Sequence, residues 1–445
     1  MRVAAGAQVL TTPAALTCYG YDSSFIAGRA GAVVLASSAR QVRAVAAWSY
    51  RRGIPLVPRG AGTGLAGGSV PMAGSVVLSL ERMNAIVHVD QAERLATVEA
   101  GVVTADLHRR AEAMGLFYPP DPASSDASTL GGNIAAGAGG PRGLKYGVTR
   151  GYVHGLDLVL PGGEELTLGG GVAPGLCHLF TGSEGTLGII TRAVLRLIPR
   201  PEYRVTMLAV FDVLEDAAHA INDIMATGVV PSTLEIMDQA SIRCVESYAP
   251  SGLPLDAAAL LLIETDGMEK TARREARAVI AACRQRNARQ VHTAANPVEA
   301  ARLWKGRKAI PAAVVRVRPV KISEDATVPR SRVPEFIVRL HEIGHRHRLP
   351  LFIWGHAGDG NLHPNLVAHP GDPDELHRAQ AAVADLFAAA LELGGTLSGE
   401  HGVGLAKAPF LPGQAGPPGI DYMRRVRRAF DPRGLMNPGK IIIEG

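Results

Sequence analysis

The sequence predicts an α+β protein of at least two domains, and three observations carry that prediction. At 445 residues the chain exceeds what one hydrophobic core organises, so it divides. Apolar strand-like runs alternate with amphipathic helical patterns over residues 30–115 and again over 201–351, the mark of layered α and β structure. Between them, from Pro119 to about Gly188, glycine-rich loops broken by short strands replace the alternation; loops of such length in a compact domain are usually functional.

Each element follows from local signals. AVVLA is a strand, and SSARQVRAVAAWSYRRG a helix with Ser37 or Ser38 as N-cap and Gly53 as terminator. IPLVP is a short strand, followed by the loop PRGAGTGLAGG and the strand SVVLSL. LATVEAGVVTADLHRRAEAMG reads as a strand, a helix capped by Thr104, and the stop Gly115. GLDLVLPGGEELTL supplies strands within the glycine-rich stretch. After IPRPEYR the glycine density falls, and a second domain opens with the strand VTMLAVF and the helix EDAAHAINDIMATG. The strand AALLLIETDG and a charged helix over 268–287 follow. The segment beyond Leu405 carries FDPRGLMNPGK near its end; it is too short to fold alone and is expected to return to an earlier domain.

Composition excludes several function classes. Hydrophobic residues make up 47% and charged residues 20%, a globular balance, and 46 Lys+Arg against 41 Asp+Glu leave +5 spread along the chain. With few aromatics and no basic stripe, nucleic acid is not an expected partner. Cys18, Cys177, Cys244 and Cys283 lie far apart without a CxxC pair, which argues against an iron–sulfur cluster, a four-cysteine zinc site or a disulfide framework. The N-terminus lacks a basic-then-apolar signal, and no run reaches the ~18 apolar residues of a membrane helix. The expected location is cytoplasmic, peripheral to a membrane only through a partner.

GTGLAG, with Gly62, Gly64 and Gly67, matches G-x-G-x-x-G after a strand, and Glu81 follows about 20 residues on, as in a dinucleotide fold. The helix that motif requires is missing, because AGGSVPMAGS holds three glycines and a proline. NAD binding by this motif is rejected. What remains is a loop whose backbone N–H groups can converge on an anion, or a tight turn between strands.

WGHAGDGNLHPNLV places two histidines around Asp359-Gly360, a strong signal for a two-residue type I′ hairpin turn. Such a turn sets His356 directly opposite His363 on one sheet face, with Cβ atoms roughly 4.5–5.5 Å apart. Two imidazoles leave a metal short of ligands, and SGEHGVG supplies a carboxylate, Glu400, beside a further histidine, His401. Two histidines and one glutamate suit zinc, manganese or iron(II) alike.

Three long motifs in order carry a resemblance: PRGAGTGLAGG, then PPDPASSDASTLGGNIAAGAGGPRGLKYG, then LFTGSEGTLGIITRAVLRLIP. Together they resemble the FAD-binding domain of the vanillyl-alcohol-oxidase (PCMH-type) superfamily, in its D-lactate dehydrogenase and glycolate oxidase catalytic-subunit branch. The resemblance runs through the ending NPGK. It implies a PCMH-type FAD-binding domain of two α/β subdomains over residues 1–200. An α/β substrate and metal cap domain with an antiparallel sheet over 201–405, and a C-terminal return over 406–445, complete the expectation.

By that resemblance Pro58, Arg59, Gly60, Ala61, Gly62, Thr63 and Gly64 wrap the FAD pyrophosphate. Asp121, Thr129, Gly132 and Asn133 lie along the ribityl chain and flavin ring. Glu184, Gly188 and Ile189 back the adenine-ribose half, and Asn437 reaches the flavin from the C-terminal return. Relatives that tether flavin covalently use a histidine in the first loop; this loop has none, so dissociable FAD is expected. Where relatives often carry Thr-Asn, this chain has Ala136-Gly137, which leaves only backbone contacts there. His356, His363 and Glu400 match the ligands of one divalent metal, and His401 matches the general base. Arg307, after the Leu-Trp pair, matches the substrate-carboxylate arginine, and Asn365 a further substrate contact. Relatives acting on hydroxyglutarate carry a lysine two residues before the aspartate matching Asp325; here Ser323 stands there, against a dicarboxylate.

The implied reaction is oxidation of a D-2-hydroxy acid of the D-lactate or glycolate type, with hydride passing to flavin N5. Electrons would then leave to an iron–sulfur partner subunit, an electron-transfer flavoprotein or a quinone, and a homodimer is among the assemblies allowed. D-2-hydroxyglutarate dehydrogenation, or a metal enzyme built on the His/His/Glu set alone, is the alternative.

Overall fold

In a computed structural model, residues 6–169 and 174–443 are described; the first five residues, part of the N-terminal reading above, lie outside them. Contacts gather the chain into two compact units. The first comprises Met1–Gly139, Gly147–Arg200 and Glu400–Gly445, the second Gly140–Tyr146 and Pro201–Gly399.

The first unit holds two main sheets, besides a two-stranded pairing of Leu116–Phe117 with Ile198–Pro199. One orders β1 (Gln8–Leu10), β2 (Ala32–Leu35), β4 (Val76–Ser79) and β3 (Leu56–Arg59), with β2 and β3 both parallel to β4. The connection from β2 is helix α1 (Ala39–Arg52): Ser38 Oγ accepts the Gln41 amide at its start, and Gly53 ends it at φ +68°. The helix buries Val42, Val45, Ala46 and Ser49, one stripe at helical spacing. Each valine so removed from water contributes about 1.5–3 kcal/mol. Residues 60–75, between β3 and β4, form turns with no helix, in accord with the glycine and proline content.

The second sheet is antiparallel, ordered β5 (Ile86–Asp90), β6 (Leu95–Glu99), β9 (Ile189–Arg196), β7 (Val153–Val159) and β8 (Glu165–Leu168). Helix α2 (Thr104–Glu112) follows β6, but Thr104 is its first residue and not its cap. The Thr104 hydroxyl instead donates to the Ser128 carbonyl (3.0 Å) and accepts from Asn133 Nδ2 (2.7 Å), a pairing across the chain that no local pattern encodes. Asn133 lies on the short helix α3 (Leu130–Ala136). A single apolar cluster spans both sheets of this unit and includes Met436 from the C-terminal return.

The second unit is built on one antiparallel sheet. Its strands are β10 (Tyr203–Phe211), β11 (Thr233–Asp238), β12 (Ala259–Gly267), β13 (Gln290–Thr293), β14 (Val320–Ser323), β15 (Leu351–His356) and β16 (Asn361–Ala368). They run in the order β13-β10-β12-β11-β15-β16-β14, with Ala326–Thr327 as a short addition beside β16. Helices α4 (Leu214–Ala226), α6 (Glu269–Gln285), α8 (Val333–His347) and α9 (Pro373–Glu392) pack with one another on the sheet. Helices α5 (Gln239–Tyr248) and α7 (Pro297–Val314) cover the face that carries Leu208, Leu260, Leu262, Met237 and Trp354. Residues 140–146 join this unit through Asp266, whose carboxylate takes Lys145 Nζ at 2.6 Å and the Tyr146 hydroxyl at 2.8 Å.

Candidate cofactor and metal sites

The first unit builds its site from backbone. Strand β3 ends at Pro58 and Arg59, and the Arg59 guanidinium is buried. It donates from Nη1 to the Tyr21 carbonyl (2.8 Å) and to Ser69 Oγ (3.1 Å), 5.5 Å over the Tyr19 ring. Burial lowers its pKa against the pull of Asp22 and Glu81. Arg59 thus braces the loop from beneath. A Cβ at Gly62 would stand 2.0 Å from Arg59 Nη2, and Gly62 sits at φ +70°, so space and backbone both require glycine. Among the described residues, the amides of Gly60, Ala61, Gly62, Thr63 and Gly64 have no hydrogen-bond partner. A run of unbonded amides is what an anionic diphosphate needs, and it requires no helix.

The other residues expected at the cofactor lie in this same unit. A Cβ at Gly60 would meet Thr129 Oγ1 at 2.2 Å, so Thr129 stands against the loop, and its hydroxyl is buried with no partner among the described residues. Gly132 and Asn133 lie on α3 behind it, with the Asn133 amide committed to Thr104, while Asp121 is buried in the preceding loop. Gly188 precedes β9, which begins at the buried Ile189. Asn437 Nδ2 donates to the carbonyls of Gly68 (2.8 Å) and Glu184 (2.6 Å), and its Oδ1 is buried with no partner among the described residues. These two orphaned oxygens and five open amides fit a large polar cofactor.

Glu184, expected at the adenine-ribose half, makes bonds of its own within the unit. Its carboxylate accepts the amides of Val403 (2.7 Å) and Gly404 (2.8 Å). Burial pushes its pKa up to about 7, against those two amides and the nearby Lys407 and Lys440. In the same loop Glu400 packs against Gly139, where a Cβ would meet Glu400 Oε2 at 3.0 Å, and His401 Nε2 lies 4.0 Å from Glu400 Oε1.

The second unit builds its site from side chains on a sheet. Strands β15 and β16 form the expected hairpin, but its register differs from the two-residue turn: His356 pairs with Asn361, and His363 with Trp354. Residues 357–360 make a four-residue connection in which Gly360 alone of the four is left-handed (φ +83°), whereas a type I′ turn needs two such residues. A tertiary bond explains the difference, since the Gly358 amide donates to the Leu234 carbonyl on β11 (3.1 Å). The two-residue slip keeps both histidines on one face as diagonal neighbours. Their rings stand 4.9 Å apart at 88°, with ligating nitrogens within 4.8 Å of each other.

Beside them lies a residue that the sequence reading missed. Glu235, on β11, is fully buried (0%). Its Oε1 is 2.5 Å from His356 Nδ1, and its Oε2 accepts Arg307 Nε (2.8 Å) and Nη2 (2.6 Å). Burial alone would raise its pKa, but His356 and Arg307 outweigh that and hold it below the usual range. Helix α7 delivers Arg307 together with Trp304 one turn earlier, whose Nε1 donates to Glu264 Oε1 (2.8 Å). The only local signal was an acidic residue within the apolar stretch LEIM. Asn365 is completely buried on the histidine face; its Nδ2 donates to the His363 carbonyl (2.8 Å), and its Oδ1 has no partner among the described residues. Asp325, also completely buried, accepts the Gly399 amide (2.7 Å), one residue before Glu400. Two imidazoles on one face, one of them oriented by a buried carboxylate, fit a divalent metal.

The chain matches the FAD binding domain family over residues 30–169 and the C-terminal domain of FAD linked oxidases over residues 200–441. It is 45% identical over 393 residues to the glycolate oxidase subunit GlcD of Bacillus subtilis, covering 87% of this chain and 84% of that one. It is 34% identical to a D-lactate dehydrogenase of Anaerostipes hadrus, over 95% and 92% of the two chains. The fold of p-cresol methylhydroxylase superposes with a TM-score of 0.80 over 98% of this chain and 94% of that one, at 18% identity. Among the described residues no helix is long and apolar enough to cross a membrane. Open amides at a glycine loop, an α+β cap sheet and these likenesses together make the chain an FAD-binding oxidoreductase: it belongs to the FAD-linked oxidases, in the branch of glycolate oxidase catalytic subunits and D-lactate dehydrogenases.

Proposed function

We propose that the protein oxidises a D-2-hydroxy acid of the D-lactate or glycolate type to the 2-oxo acid and passes the electrons to an external acceptor. The observation that carries this reading is Glu235, a buried carboxylate that holds His356 and Arg307 side by side on the face bearing His363 and Asn365. Arg307 grips the substrate carboxylate, as a planar guanidinium does, and Asn365 adds a polar contact. His356, His363 and Glu400 hold one divalent metal (zinc, manganese or iron). Glu400 follows directly on Gly399, which Asp325 anchors. Bound there, the metal supplies Lewis acidity that lowers the pKa of the substrate hydroxyl. His401 takes the hydroxyl proton. FAD, held without a covalent bond by the first unit, supplies the two-electron acceptor for the Cα hydride.

Substrate size is supported by Ser323, which pairs with Asn365 across β14 and β16 and offers no cation for a second carboxylate. That the Bacillus subtilis relative is named a subunit supports a partner protein as electron acceptor, an iron–sulfur subunit first. An electron-transfer flavoprotein or a quinone would serve the same chemistry, and a homodimer is compatible with it.

The test is an anaerobic visible spectrum of the purified protein before and after D-lactate or glycolate, with and without chelator. Bleaching of the flavin band that chelator abolishes is the expected result. A yellow protein that no 2-hydroxy acid bleaches overturns the proposed reaction.

A further inference from the structure

We propose that Glu184 is a positioning residue for His401, an inference that rests on the reading of His401 as base. Its two carboxylate oxygens take the amides of Val403 and Gly404 separately, two and three residues beyond His401. Gly402, between His401 and Val403, is at φ +82°, and a Cβ there would lie 2.7 Å from Glu184 Oε1, so the loop runs directly over the carboxylate. The carboxylate is itself held in place. Glu184 adopts φ +51°, unusual for its residue type, and that conformation is enforced from both sides. Its amide donates to the Ala135 carbonyl (2.8 Å), and its carbonyl accepts Asn437 Nδ2 (2.6 Å).

The far end of the same loop is clamped independently. The Ala66 carbonyl accepts the amides of Leu405 (2.8 Å) and Ala406 (3.1 Å), and a Cβ at Gly404 would stand 1.9 Å from that oxygen. The loop that carries His401 is therefore held at two points, by the Ala66 carbonyl of the glycine loop and by the Glu184 carboxylate from a separate loop. Only the Glu184 tie is a side chain, so it is the one that mutation can release without altering backbone. A carboxylate accepting two amides is a strong, directional restraint. A carboxamide has one acceptor oxygen and would turn an N–H toward the second amide.

Glu184→Gln is the test, run at pH 8 on FAD-loaded protein. Three quantities are read: the FAD dissociation constant, kcat and KM for D-lactate, and amide hydrogen exchange over residues 399–405. The expected result is FAD affinity and KM within about three-fold of wild type, with kcat lower by about 10–100-fold, the usual cost of losing a buried orienting partner. Exchange at Val403 and Gly404 rises with it. A variant that binds FAD weakly but regains full kcat at saturation overturns the proposal and makes Glu184 a cofactor contact. Wild-type kcat, or a lower kcat with unchanged exchange, overturns it too. Should the variant fail to fold, Gly402→Ala loads the same contact from the other side, and the same split between kcat and FAD affinity is expected. If wild-type protein is not reduced by any hydroxy acid, the reaction is wrong, while the exchange measurement still reports on the clamp.

Discussion

The two units present polar groups in opposite ways. In the first, five consecutive amides at Gly60–Gly64 are open among the described residues, and the Arg59 side chain lies beneath the loop as a brace. In the second, the sheet presents side chains, and the buried Glu235 carboxylate pairs with the Arg307 guanidinium while also bonding His356. A backbone site depends on glycines whose φ angles and clearances no other residue shares. A side-chain site depends on charge pairing, because removing one member strands the others in a low-dielectric setting. Damage to the first should therefore appear as lost cofactor, and damage to the second as lost metal, substrate affinity or stability with cofactor retained.

The largest expected effect lies in the loop that follows Gly399. His401→Ala should keep bound flavin yet lower turnover by about 10²–10⁴-fold, the usual contribution of a general base. Steady-state rates beside the flavin spectrum check this, and activity within a few-fold of wild type removes His401 from that role. Next comes Glu235→Ala, which leaves Arg307 buried and unpaired and should cost about 3–5 kcal/mol of unfolding free energy. Denaturant titration measures that loss, and metal analysis should find the divalent ion depleted while FAD stays bound; an unchanged midpoint would break the contrast between the two sites. Gly62→Ala should do the reverse. Strain of about 1–3 kcal/mol at a left-handed, sterically closed position should weaken FAD binding by about ten-fold or more, with metal content unaffected, as read by flavin titration. The smallest effect is expected from Ser323→Lys: a shift of about ten-fold or less in kcat/KM toward dicarboxylate 2-hydroxy acids, measured by competing D-lactate against 2-hydroxyglutarate. No shift would separate Ser323 from substrate choice.

Much of this was legible residue by residue. Ser38 and Gly53 bound their helix as capping chemistry requires, and the glycines and proline of residues 60–75 ruled out the dinucleotide helix. The histidines were expected on one face, and they are, but two residues out of the expected register. Asp-Gly encodes a turn preference worth little beside the bond from Gly358 to Leu234, which lies on a different strand. Thr104 looked like a cap for the same reason, since the partner that claims its hydroxyl is Ser128.

What the sequence by itself determined is therefore local: where strands and helices start and stop, which loops must be glycine, and which histidines can share a face. These depend on φ preferences and side-chain periods that act over a few residues. Only the tertiary structure decided who meets whom. Glu235 reaches His356 across 121 residues and Arg307 across 72, and Glu184 reaches the His401 loop across 219 and 220. A lone glutamate in an apolar strand carries no sign of such a partner. Its pairing emerges because a buried charge must find its counterion, and the sheet register determines which one lies within reach.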